Sequence, residues 1–229
     1  MMKITTDEQG WTNAGGSLSW RVAARGIETR DAEGITRVRR SKVLVYVPKT
    51  IYATHHRDIK IAADAFGLPK ELLLTTAVVE SAGITNNEKH EPHLKDTSIG
   101  ICQTLTATAS ALCRLLGWPR LGDHEHVDED VAPFLCPDLT LPQGGDIVEW
   151  RRFLGVPFNS FSLAAALYGY NSERYSTEDP IQLYAAYNAG SLRPGANKWG
   201  LAGATMALDS FANFYTLSME AVRDYNGPE

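Results

Sequence analysis

Three cysteines cannot all pair, and their spacing forms neither a CxxC motif nor a zinc-ribbon array. No disulfide framework is expected, and Cys102 and Cys113, set among apolar neighbours, read as small buried residues. No window approaches about eighteen uninterrupted apolar residues, so neither a transmembrane helix nor membrane insertion is expected. An excess of positive charge is also missing. Net charge is −5, which gives no electrostatic case for a nucleic-acid partner. The one basic run, with Arg37, Arg39, Arg40 and Lys42, reads as a solvated strand face or loop. No apolar stretch follows Lys3, so no secretory signal is expected. Synthesis in a reducing cytoplasm fits, and any external target must be reached by another route. Internal repeats and low-complexity segments are absent.

Hydrophobic content of 44% beside 21% charge suits a globular protein with one sizeable core and room for a small appendage. The first 47 residues read as β. Leu18, Trp20, Val22 and Ala24 alternate with Ser19, Arg21 and Ala23, Asp31 to Gly34 make a turn into Ile35–Val38, and Val43 to Val47 is a second β-branched run closed by Pro48. From residue 48 to 229 the pattern is helical. Ile51, Ile59, Ala62 and Phe66 suit amphipathic turns ending at Gly67, and a helix from Pro69 to about Ser81 stops near Gly83. Another spans about Leu105 to Leu116, with Leu105, Ala109, Leu112 and Leu116 on one face. Residues 117 to 158 suit a long connection around a short helix at Ile147 to Phe153. Helices are expected at about Asn159 to Tyr170, at Pro180 to Ala189 between Asp179 and Gly190, and at Ala207 to Tyr225. The expected fold class is α+β, predominantly α, with a small β-rich N-terminal element (1–47) and a helical domain (48–229).

Glu80 is the principal candidate for chemistry. At helical spacing it shares a face with Leu73, Thr76 and Ala77, the face expected to be buried. Burial and the nearby helix C-terminus both disfavour its charge, which raises the pKa of a carboxyl group and suits a general acid. A Glu at a helix end reaching solvent is the alternative. Gly100 lets the backbone approach a ligand closely, and Gln103 offers an amide donor and acceptor. Tyr187 and Asn188 close a helix beside Gly190, a phenol and an amide suited to an N-acetylated sugar; a plain C-cap is the bland alternative.

Taken in order, Glu80-Ser81, then Gly100-Ile101-Cys102-Gln103 leading to Thr108-Ala109, then Ala186-Tyr187-Asn188-Ala189-Gly190, resemble the goose-type lysozyme and soluble lytic transglycosylase superfamily. The resemblance runs back through Gly67 to Leu73 and forward to Tyr215, over roughly residues 50 to 225. Ile101-Cys102 replaces the family's Leu-Met. The segment Asn86 to Asp96 departs from the usual short loop, and Asp96 sits two positions out of register with the family's polar residue.

The resemblance implies a lysozyme-like catalytic domain that cleaves peptidoglycan glycan strands between N-acetylmuramic acid and N-acetylglucosamine, without cofactor or metal. Glu80 would protonate the glycosidic oxygen, then take a proton from the C6 hydroxyl as a 1,6-anhydro ring closes. Tyr187 would orient Glu80, and Ser81, Gly100, Gln103, Asn188 and Tyr215 would bind the sugar. Goose-type hydrolysis needs a second acid, for which Asp96 and then Glu91 are candidates. A non-catalytic wall-binding or virion protein keeps the fold without the activity. His90-Glu91-Pro92-His93 and His124-Glu125-His126 invite a metal reading, but neither matches HExxH, and they read as surface loops. Delivery would be by holin-dependent release or on a virion or secretion machine.

Overall fold

The computed structural model describes residues 4–227 apart from 117–146, with the backbone alone at 114–116. It is an α+β protein: among the described residues, seven helices accompany two small antiparallel sheets. Contacts divide the chain into two compact units, one from the described residues of Met1–Lys49 and Tyr170–Asn226, the other from those of Thr50–Gly169. The N-terminal sheet is therefore grouped with the last two helices, where composition alone had set it apart.

In the first unit, β1 (Thr5–Thr6), β2 (Thr12–Asn13), β3 (Ser19–Ala23), β4 (Gly26–Arg30) and β5 (Thr36–Val38) form a sheet in sequence order. Trp20 pairs with Thr29 in the β3–β4 ladder and both are buried, while Arg21 pairs with Glu28 on the opposite face and bridges it at 2.8 Å. The Asp31 turn forms as expected: its carboxylate accepts the Glu33 and Ile35 amides, and Gly34 takes φ +81°. Helices α6 (Pro180–Ala189) and α7 (Thr205–Arg223) complete the unit. β4 lies tight on α7, where a Cβ at Gly26 would come within 2.0 Å of the Thr216 hydroxyl and the Ile27 amide donates to that same oxygen. Arg39 and Lys198 both reach Asp209 on α7, Arg40 reaches Glu220, and Arg37 lies 3.8 Å from Asp31. The basic run is thus largely paired with acids of its own unit.

The expected second strand at Val43 to Val47 does not form. The chain bends there, Val43 and Tyr46 are exposed, and Val47 already opens α1 (Val47–Ala65). Pro48 fits that first turn because its fixed φ suits a helix start and no intrahelical partner exists there for the N–H it lacks. β-branching marked a strand, but no neighbour supplies a ladder.

The second unit holds most of α1, then α2 (Lys70–Ser81), a sheet of β6 (Glu88–Glu91), β7 (Asp96–Ile99) and β8 (Thr104–Leu105), α3 (Thr106–Leu116), α4 (Ile147–Leu154) and the first two thirds of α5 (Pro157–Tyr175). Its core joins Ile99, Ala109, Leu112, Trp150, Phe153 and Leu163. The predicted face of α3 is right for Ala109 and Leu112, Leu105 belongs to β8, and the Leu116 side chain lies outside the description. Cys102 and Cys113 are buried, as read. Of the connection expected over 117–158, its short helix is α4, while residues 117–146, with His124, Glu125 and His126, lie outside the described residues.

Candidate active site

Helix α2 brings Glu80 to its place. Pro69 stands extended at the N-cap, Glu71 puts an acid in the first turn where the dipole favours it, and Leu72 through Val78 are all buried. Such a helix is anchored all round by the core. Tyr168 reaches Thr76 at 2.7 Å from α5. It ends one residue beyond Ser81: Ala82 takes φ +52°, and the Ala82 and Gly83 amides turn back onto the Val78 and Ala77 carbonyls. Gly83 is required here, since a Cβ would meet the Ile51 side chain at 2.6 Å. Glu80 is therefore in the last turn, half-buried, while Leu73, Thr76 and Ala77 on its face are fully buried.

The Gly100–Gln103 turn abuts this helix end. The Ser81 hydroxyl donates to the Ile101 carbonyl at 2.7 Å, with the Ala77 carbonyl a weaker acceptor at 3.1 Å, and it accepts the Gly83 amide. From α5, the Ser160 hydroxyl accepts the Cys102 amide at 3.1 Å. Two serines, one on α2 and one on α5, thus hold the turn. Burial raises the Cys102 thiol pKa far above the ordinary range, and the nearby Glu80 carboxylate raises it further.

Packing alone already requires glycine at Gly100. At φ +84°, a Cβ would come within 2.4 Å of the Leu154 carbonyl and 2.8 Å of the Ser160 hydroxyl, so the missing side chain is spent on packing against α4 and α5. Gln103 is nearly buried at φ +52°, and its Nε2 donates to the Asn87 and Gly100 carbonyls, both at 2.9 Å. Both amide hydrogens are used, so a ligand can meet only its carbonyl oxygen.

The two candidate second acids are held differently. Asp96 accepts the Thr97 amide at 2.7 Å, the Thr106 hydroxyl in a short bond, and the Ala107 amide at 3.1 Å, which places it as the cap of α3. Glu91, at the β6–β7 turn, pairs with Lys89 at 2.7 Å and lies 3.8 Å from His93. Among the described residues, no three His, Cys, Asp or Glu side chains converge as a metal ion would require.

Tyr187, Asn188 and Tyr215 belong to the first unit. Asp179 caps α6 by accepting the Ile181 and Gln182 amides, and Gly190 at φ +71° ends it. Tyr187 is half-buried in the last turn and stacks on Tyr184 at 6.5 Å. Tyr184 stacks on Phe211 at 4.2 Å, and Phe211 meets the buried Tyr215 at 5.7 Å. A ladder of rings thus runs between α6 and α7. Asn188 is exposed, with its Oδ1 beside Gly203.

Sequence reasoning missed Ser160 and Asn87, the groups that fix the Cys102–Gln103 turn from outside it. Neither carries a local signal, because each acts only through a contact far along the chain. Comparison with family models, curated proteins and solved structures finds no match to this chain.

Proposed function

We propose that this chain is a peptidoglycan lytic transglycosylase with a lysozyme-like catalytic fold, and that Glu80 is its acid and base. The observation that carries the reading is the half-buried Glu80 carboxyl at the rigid end of α2, beside the buried, twice-clamped Gly100–Gln103 turn. An acid that must both give and take a proton needs partial desolvation and a fixed position more than it needs a second carboxylate. Glu80 protonates the glycosidic oxygen as the bond to the muramic C1 breaks. The substrate's acetamido oxygen supports the oxocarbenium-like centre, and the C6 hydroxyl closes on C1 while its proton passes to Glu80. Gln103 offers its carbonyl oxygen to a sugar hydroxyl or amide, and Ser81 positions the turn rather than the substrate. Tyr187, Asn188 and Tyr215 enter this reading through the sequence resemblance alone. Transglycosylation is favoured over hydrolysis because Asp96 is engaged as a helix cap and Glu91 in an ion pair. The enzyme would reach the wall by holin-dependent release or as part of a virion or secretion machine.

Digestion of purified peptidoglycan tests this. Wild type is expected to release muropeptides with 1,6-anhydro ends, and Glu80→Gln to fall by at least about a hundredfold with an unchanged circular dichroism spectrum. Reducing ends would convert the reading to a hydrolase, and full activity in Glu80→Gln would remove it.

A further inference from the structure

A second polar site lies within the first unit, at the opposite end of α6 from Tyr187. An open-sided cavity of about 680 Å³ is lined there by Thr6, Thr12, Tyr175, Glu178, Gln182 and Leu192, among others. That volume is in the range of small-ligand sites. Gln182 is the informative residue. It is only 8% exposed, and its side-chain amide has no hydrogen-bond partner among the described residues, although it lines the cavity. An amide that the protein leaves unpaired at a cavity wall is open to whatever polar group enters the cavity. Its backbone amide, by contrast, is bonded to Asp179.

The lining chemistry narrows the ligand. No basic residue contributes, while Glu178 faces the cavity, so an anion is disfavoured. The Thr6 and Thr12 hydroxyls hold each other at 3.0 Å, and the Tyr175 ring is held under Arg174 at 5.2 Å. Hydroxyls, the carboxylates of Glu178 and Asp179, one amide and one aromatic ring suit a neutral sugar. The free amide of Gln182 further selects an acetamido group, to which it can donate and from which it can accept, with Leu192 available to the methyl. We infer that this cavity binds an N-acetylated sugar residue, as a saccharide subsite separate from the Tyr187–Asn188 end of the helix. The two ends are distinct: Gln182 and Tyr187 differ by about 7.5 Å of rise and about 140° around α6. Preferring an N-acetylated glycan to other neutral sugars rests in part on the peptidoglycan reading.

The test uses the full chain carrying Glu80→Gln, so that no turnover occurs, with tri-N-acetylchitotriose as the probe and cellotriose as the control lacking acetamido groups. The Gln182 side-chain amide resonance, assigned in ¹⁵N-labelled protein, is expected to shift with chitotriose and not with cellotriose. Gln182→Leu should weaken that binding by about tenfold, the scale of one lost polar pairing. If Gln182→Leu fails to fold, Glu178→Gln at an exposed position should weaken binding severalfold. No shift with chitotriose, or an equal shift with cellotriose, overturns the proposal. A chitotriose shift at Gln182 in a protein whose wild type releases no anhydro-muropeptides would keep this site and discard the lytic reading. Anhydro products without the shift would do the reverse.

Discussion

Asp179 shows how much one side chain can carry. Its carboxylate accepts the Ile181 amide at 2.9 Å, the Gln182 amide at 3.1 Å and the Trp20 indole N–H at 2.9 Å, joining the α6 N-terminus to the sheet. Part of its surface reaches solvent, yet burial is the dominant influence and raises its pKa above the ordinary 3.8, with the three donors opposing the shift. The native state therefore holds this proton more tightly than the unfolded chain does. Between the unfolded and folded pKa values, stability rises as pH falls, and above the folded value the ionised carboxylate costs stability. Asp179→Asn keeps an acceptor for the cap and loses the charge. In urea titrations it should match or exceed wild type at pH 7 and lose that advantage toward about pH 4. Asp179→Ala, which strands the cap amides and the indole N–H, should cost about 1–3 kcal/mol at both pH values. Equal losses in the Asn and Ala variants would show that the acceptor is not what matters.

Among the elements, the helices were the most legible. Asp179-Pro180 and Gly190 bracket α6 as their chemistry dictates, and Pro69 and Gly83 bracket α2, because caps act within a few residues of sequence. The sheet β6–β8 was not legible. Glu88, Lys89 and His90 are all exposed, so no alternation marks the strand, and its pairing with Asp96–Ile99 is set by the packing of Ile99 and the turn at 92–95. Val43 to Val47 failed in the opposite sense, with strand residues but no partner. At the candidate site Glu80 was legible from its incongruity in an apolar run, whereas the packing roles of Gly100 and Ser81 needed the positions of Leu154 and Ile101. The same limit applied to Asp96, read as a possible second acid and found on β7 with its carboxylate bonded to the start of α3. Asp96→Ala should lower stability by about 0.5–2 kcal/mol through loss of the cap. Asp96→Asn should retain most of the stability and leave muropeptide release within about twofold of wild type. A general base would instead lose about a hundredfold or more with the melting temperature unchanged.

At the scale of the whole chain, the two compact units share more than a linker, since their boundaries fall inside α1 and α5. Helix α5 runs unbroken from Pro157 to Tyr175, so one hydrogen-bonded ladder carries residues of both units. Helix propagation is cooperative, and melting either end removes turns that nucleate the other. The units should therefore unfold together. The chain supplies a separate probe for each. Cys102 and Cys113 lie in the second unit, both buried, with burial raising the Cys113 thiol to about 11. At pH 8 only about one Cys113 in a thousand is thiolate even before access is considered, so labelling must await unfolding. Trp11, Trp20 and Trp199 lie in the first unit, each buried. In a protein with Cys136→Ser, Trp118→Phe and Trp150→Phe, thiol labelling and tryptophan fluorescence should give coincident urea midpoints. A fluorescence transition at clearly lower urea would mean that the sheet and its two helices open on their own while the unit bearing Glu80 stays folded.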